Sequence, residues 1–162
     1  MTEIDFDPYI LKDYFDLKVV QACRSCKRYG AGACPPSIPD IDYYESLLPS
    51  YDSGIIVFKK FEISGDWKEQ GRNSSLEINN YLLEKRTQLL NEGHYYSIIL
   101  GAGSCKRCPI CVTPCRQPNQ AIIPIEGCGI DVISLMDDFD VRLKFPVEKQ
   151  EFFFRVGMIL YG

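Results

Sequence analysis

Four cysteines, Cys105, Cys108, Cys111 and Cys115, stand within eleven residues at a spacing of C-x2-C-x2-C-x3-C. Packing gives no reason for so dense a run. Thiolates are soft metal ligands, and two intervening residues are enough to turn a backbone round one corner of a metal cluster. A loop of this kind can aim several sulfurs at one point, which is the chemistry of an iron–sulfur cubane. A second group, Cys23-x2-Cys26-x7-Cys34, supplies three more thiols, and Cys128 stands alone. The total of eight cysteines is what two four-ligand sites would consume.

The dense run has the spacing of bacterial ferredoxins, in which the first three cysteines hold one cluster and the fourth reaches the other. Transferred here, that pattern joins Cys115 to Cys23, Cys26 and Cys34, and leaves Cys128 to complete the site of Cys105, Cys108 and Cys111. Spacing also permits Cys115 and Cys128 to exchange roles. Zinc is the principal rival, because four-cysteine zinc sites are likewise built from C-x2-C pairs. Zinc ribbons bring paired knuckles, however, and these loops bring triplets. One cluster plus one zinc is an intermediate case.

Other chemistry is sparse. There is no P-loop, no His-Glu-x-x-His and no dinucleotide fingerprint. The first triplet lacks the C-x3-C-x2-C spacing of radical enzymes. His94 is the only histidine, so a Cys–His nucleophile has little support, and its place between a helix end and a strand suits a structural role. Lys106, Arg107 and Arg116 flank the thiols, where they can offset the charge of an anionic centre or remain ordinary solvated cations. Gly101-Ala102-Gly103 could let backbone amides approach a cluster sulfur. Trp67 reads as packing or as part of a partner surface.

The elements that must position these residues can be read from periodicity. Leu17–Ala22 reads as a short strand feeding the first cysteine loop, and Pro39–Leu48 as a short helix. Ser53–Ile63, rich in Ile, Val and Phe, reads as a strand, and Ser64–Asn73 as a polar loop. Ser74–Glu92 reads as the main helix, opened by a Ser74–Glu77 capping box and closed by Gly93. Tyr95–Leu100 is a strand that delivers the chain into the second cysteine loop. A helix is expected from after Pro124 to about Met136, then strands over Asp140–Phe145 and Glu151–Tyr161. The last is apolar on both faces, so both should be covered. Together these predict an α+β fold, a mixed sheet covered by helices with the cysteine-rich loops at strand ends.

The chain has 162 residues, 46% apolar and 25% charged, which fits a single domain over residues 1–162. Its net charge of −4 and lack of a basic run argue against nucleic acid as a partner. No apolar stretch reaches membrane-spanning length. The acidic start Met1-Thr2-Glu3-Ile4-Asp5 has no signal-peptide character, so a cytoplasmic setting with reduced thiols is expected.

Taken together, Cys23-x2-Cys26-x2-Tyr29-Gly30-x3-Cys34-Pro35-Pro36, Gly101-Ala102-Gly103-x-Cys105-x2-Cys108-x2-Cys111, Cys115-Arg116-x-Pro118 and Glu126-Gly127-Cys128-Gly129-Ile130-Asp131-Val132 resemble the DUF2284 family of predicted metal-binding proteins. The resemblance runs over nearly the whole chain. It implies that the eight cysteines are ligands, in a protein of anaerobic metabolism. The expected function is that of an iron–sulfur protein with two [4Fe–4S] clusters, an electron carrier or accessory subunit that meets a redox partner protein. Fully thiolate-ligated clusters leave no position for substrate, which favours electron transfer over catalysis. A zinc-stabilised interaction module is one alternative. An enzyme or cluster-transfer factor with one three-thiolate, open cluster is another.

Overall fold

The computed structural model describes residues 1–162. Five strands form one mixed sheet: β1 (Thr2–Phe6), β2 (Ser53–Glu62), β3 (Ser97–Gly101), β4 (Ile123–Pro124) and β5 (Phe152–Tyr161). Their order across the sheet is β1-β2-β5-β3-β4. All neighbours are antiparallel except β3 and β4, which run parallel. Four helices complete the fold: α1 (Leu17–Cys23), α2 (Ile41–Leu47), α3 (Trp67–Asn91) and α4 (Val132–Asp138). No helix is long and apolar enough to cross a membrane. This is the α+β arrangement expected, a mixed sheet with helices over it.

Alternation along the central strands sends side chains to two cores. Ile56, Leu100, Val156, Met158 and Leu160 face one core, which Tyr44 of α2 and Leu135 and Met136 of α4 complete. Ile55, Val57, Ile99 and Ile159 face the other, against Ile78, Leu82 and Leu89 of α3. The double burial expected of β5 follows from its central place. At Gly157 a Cβ would lie 2.6 Å from the Leu82 side chain, so the missing side chain lets α3 sit against the sheet.

Several local expectations are corrected. Leu17–Ala22 lies in helix α1 rather than a strand. The Asp16 carboxylate caps it by accepting from the Lys18 amide at 2.8 Å, a cap signal that outweighs the β-branched pair Val19-Val20. The polar segment Ser64–Asn73 is mostly helix, because α3 begins at Trp67, capped by Asp66. Ser74 is therefore no N-cap. It is buried inside α3, donates to the Gly71 carbonyl at 3.2 Å, and accepts from Arg155 Nε at 3.1 Å. Glu77 pairs with Lys59 instead. Gly93 does take the left-handed conformation after the helix, with φ of 99°.

The helix expected after Pro124 is split. A single turn over Glu126–Cys128 ends at Gly129, whose φ is 91°, and α4 starts only at Val132. Asp140–Phe145 forms no strand. β5 already has β2 and β3 on its two edges, so that segment packs Val141 and Leu143 on the core without pairing. Strands β1 and β4 carried too little periodic signal to be anticipated.

Candidate metal centre

Three pieces of chain carry the cysteines to one end of the sheet. β3 and β4 are parallel, so their C-terminal ends point the same way. β3 runs out at Gly101 into the loop of Cys105–Cys115, and β4 runs out at Pro124 into the turn holding Glu126 and Cys128. α1, which ends at Cys23, packs on that turn. It is pinned there by the Asp16 amide donating to the Gly129 carbonyl at 2.9 Å and the Asp131 amide donating to the Tyr14 carbonyl at 2.8 Å.

The second group gathers within its own loop. Cys105, Cys108, Cys111 and Cys115 line one enclosed cavity of about 20 Å³, with Ala33 of the first loop at its wall. Arg107 braces the loop, donating to the Asn80 side chain at 2.9 Å, and Arg116 donates to the Ile110 carbonyl at 3.1 Å. Both arginines thus act as struts. Lys106 is the cation turned inward: its ammonium donates to the Ser104 carbonyl at 3.1 Å and lies in the electrostatic reach of Cys105 and Cys34.

The first group is assembled from separate segments. Cys23, Cys26 and Cys34 line a cavity of about 310 Å³ together with Arg28 and Glu126. Successive turns shape this loop: the Cys26 amide donates to the Cys23 carbonyl, and the Arg28 amide to the Cys26 sulfur at 3.4 Å. Cys128 sits behind that cavity, wholly buried in the core beside Tyr44, and feels the charge of Cys23. The placement differs from the ferredoxin-style crossing: Cys115 stands with Cys105, Cys108 and Cys111, and Cys128 stands with Cys23. The reason is topological, since the parallel β3–β4 pair and α1 bring the Cys128 turn to the first loop.

The two groups adjoin. A Cβ on Gly32 would lie 3.2 Å from that of Cys115, and Cys34 is within electrostatic reach of Cys111. One carbonyl, that of Gly30, accepts from Ser37 of the first loop at 2.9 Å and from the Thr113 hydroxyl of the second at 3.0 Å.

Burial governs the electrostatics. It pushes the Cys34 thiol up to about 11, although Arg28 opposes the shift, and raises Cys23 and, much further, Cys128. It also raises Glu126, against the pull of Arg155 and Lys106. No group of three His, Cys, Asp or Glu side chains is drawn together so as to hold a metal ion. Metal uptake must displace the protons that burial holds on Cys23, Cys34 and Cys128.

Two orphaned donors test whether the first group suits a thiolate centre. The only buried side-chain nitrogen and oxygen without a hydrogen-bond partner are Arg28 Nε and the Tyr44 hydroxyl. Arg28 is the cation acting on Cys34, and Tyr44 shares its core with Cys128 and feels its charge. Unpaired buried donors are costly, and a ligated, electron-rich sulfur is the acceptor each lacks. The donor set therefore fits a thiolate-held centre.

Glu126, Arg28 and Tyr44 had no role assigned from sequence. Glu126 stands two residues from Cys128, which was the one available signal. Of the Gly101-Ala102-Gly103 run, the Ala102 amide donates to the Asn79 side chain at 3.1 Å, while Gly103 lines the cavity of Cys23, Cys26 and Cys34. His94 packs edge-on against Tyr161, a structural role, and Trp67 packs edge-on against Phe153.

Comparison with curated proteins gives no significant match, and neither does comparison with solved structures. Residues 13–161 match the family described as predicted metal-binding protein (DUF2284). With that match covering nearly all of a chain whose eight cysteines collect at one end of its sheet, the protein belongs to the DUF2284 family of predicted metal-binding proteins.

Proposed function

We propose that residues 1–162 form one iron–sulfur domain holding two [4Fe–4S] clusters, and that it works as an electron carrier or as an accessory subunit of a redox enzyme. The observation that carries this reading is that four cysteines line one cavity and three line another, with the eighth, Cys128, buried within electrostatic reach of Cys23. Cys105, Cys108, Cys111 and Cys115 would hold one cluster, and Cys23, Cys26, Cys34 and Cys128 the other. Each cluster, when bound, supplies a site that takes up and returns one electron. The chain's own residues then tune it. Lys106 and Arg28 offset negative charge, the Tyr44 hydroxyl offers an unpaired donor in the core it shares with Cys128, and that core excludes water. Exposed Tyr29, Ile110 and Val112 beside the thiols give an apolar rim on which a redox partner protein can dock.

The test is metal and acid-labile sulfide analysis of protein purified without oxygen, with electron paramagnetic resonance after reduction. About eight iron and eight sulfide per chain are expected for two cubanes. Stoichiometric zinc without sulfide would overturn the reading in favour of a zinc-stabilised module.

A second reading has its own observation. Cys128 does not line the 310 Å³ cavity that Cys23, Cys26 and Cys34 share with Glu126. A cluster held there by three thiolates would turn its fourth corner toward the Glu126 carboxyl, as in an enzyme or a cluster-transfer factor. Unchanged iron content in Cys128→Ser, with an altered resonance spectrum, favours this reading. Loss of one cluster favours the closed site.

A further inference from the structure

A third of the chain's cations converge on one cleft. Lys27, Arg28, Lys68, Arg72, Lys106 and Arg155 line an open cavity of about 490 Å³, to which none of the 22 acidic residues contributes a wall. The protein as a whole carries −4, so this concentration opposes its average. The two ion pairs of the chain, Lys59–Glu77 and Lys85–Glu3, involve none of the six. Glu126 acts on Arg155 from the adjoining cavity, and Glu69 lies between Lys68 and Arg72 in the first turn of α3 without lining the cleft.

The cations arrive from four segments: the first cysteine loop, the start of α3, the second cysteine loop and β5. Two are fixed in advance. Arg155 donates to Ser74 Oγ and to the Gly71 carbonyl, each at 3.1 Å, and Lys106 donates to the Ser104 carbonyl. The outer cations are exposed and placed at a cost. Lys68 and Arg72 stand four residues apart on one face of α3, where like charges repel. Both lie in the first two turns, where the helix dipole is already positive. Compensation of the cysteine centres accounts for Arg28 and Lys106, which adjoin the thiols, and leaves Lys68 and Arg72 without a purpose.

We propose that this cleft binds a small phosphate-bearing anion of the di- or triphosphate class. A terminal phosphate carries about 1.5 to 2 negative charges and each inner one about one more, so a di- or triphosphate brings about three to four charges in a compact volume to a cluster of six cations. Donors supplied by four separate segments around one cleft suit tetrahedral groups, whereas a planar carboxylate is best met from one side. The concavity has the size of a small-molecule site rather than of a flat protein interface. Cys108 lines both this cleft and the cavity of the second cysteine group, so the bound anion would lie against that group.

The experiment is calorimetric titration of inorganic pyrophosphate into full-length protein purified without oxygen, at two salt concentrations, with citrate as the comparison anion. One pyrophosphate per chain is expected, bound more weakly at higher salt. Citrate should bind more weakly than pyrophosphate. Lys68→Ala with Arg72→Ala should weaken binding by about tenfold or more. Both substitutions replace exposed residues with a better helix former, so metal content and thermal midpoint should not fall. Failure of pyrophosphate to bind at millimolar concentration, equal binding by the double variant, or citrate binding as tight would each overturn the proposal. Metal and sulfide content, read on the same samples, reports separately on the iron–sulfur assignment.

Discussion

The second cysteine group is made by one loop, while the first is made by a helix end and the loop that follows it, with a buried turn about a hundred residues further along the chain. The second group needs little more than an anchored stalk, which β3 supplies. The first exists only when β3 pairs with β4 and α1 docks on the turn over Glu126–Cys128. Thiols collected locally can bind metal early and help the loop to fold. Thiols collected by topology bind only what the folded core allows, and burial raises their proton affinity until a metal replaces the protons. The difference teaches that one centre reports on a loop and the other on the integrity of the sheet.

The largest expected effect separates the two directly. Cys128→Ser should remove about half of the bound metal and also cost about 1–3 kcal/mol of stability, because a polar hydroxyl replaces a sulfur in a fully buried apolar core. Cys115→Ser should remove the same share of metal and leave the urea midpoint of the sheet nearly unchanged. If Cys115→Ser instead empties the centre of Cys23, Cys26 and Cys34, the crossed ferredoxin arrangement holds and the comparison collapses.

Gly157→Ala acts on the sheet alone. Its methyl group would meet Leu82 at 2.6 Å and Ile78 at 3.0 Å, and should destabilise the fold by about 1–3 kcal/mol. During a urea titration of this variant, the metal signal of the first centre should vanish at lower denaturant than that of the second. Simultaneous loss would show that the two centres share one unit of stability.

Tyr44→Phe sharpens the contrast in electronic terms. Losing the unpaired Tyr44 hydroxyl, which feels the charge of Cys128, should make the potential of one centre more negative by roughly 40 mV, the equivalent of about 1 kcal/mol for a single electron. The other centre should not move in a redox titration followed by electron paramagnetic resonance.

The smallest effect lies at the start of α4, beside the Cys128 turn. Burial would raise the Asp131 carboxyl, but hydrogen bonds from the Ser134 hydroxyl and from the Ser134 and Ile133 amides outweigh it and hold the group below its usual range. Asp131→Ala should cost about 1 kcal/mol at neutral pH. A carboxyl depressed on folding contributes fully above its ordinary titration range, and loses that contribution as pH falls through the folded value. The gap between variant and parent in denaturation curves should therefore close in acid.

These two regions were unequally legible in the sequence, for the same reason that they differ in the fold. The thiols of the second group announce themselves by spacing, and β2, β5 and the later part of α3 by periodicity. The partnership of Cys128 with Cys23 depends on which strand lies parallel to which, and β4 is only two residues long. The start of α3 was hidden because Gly71 and Asn73 argue against a helix, while the Asp66 cap and the bonds from Arg155 hold it in place. Arg28 and Tyr44 became informative only as buried donors without acceptors, a property of packing and not of spacing.

The carbonyl of Gly30 serves both cysteine loops, accepting from Ser37 and from Thr113. A single peptide unit is therefore the hinge pin of two loops that belong to different centres. If that peptide rotates, both loops lose a tether in the same event, so hydrogen exchange should find their amides opening together rather than in turn. Damage that begins at one centre, such as oxidation of the exposed Cys26, would then loosen the other without ever touching its thiols.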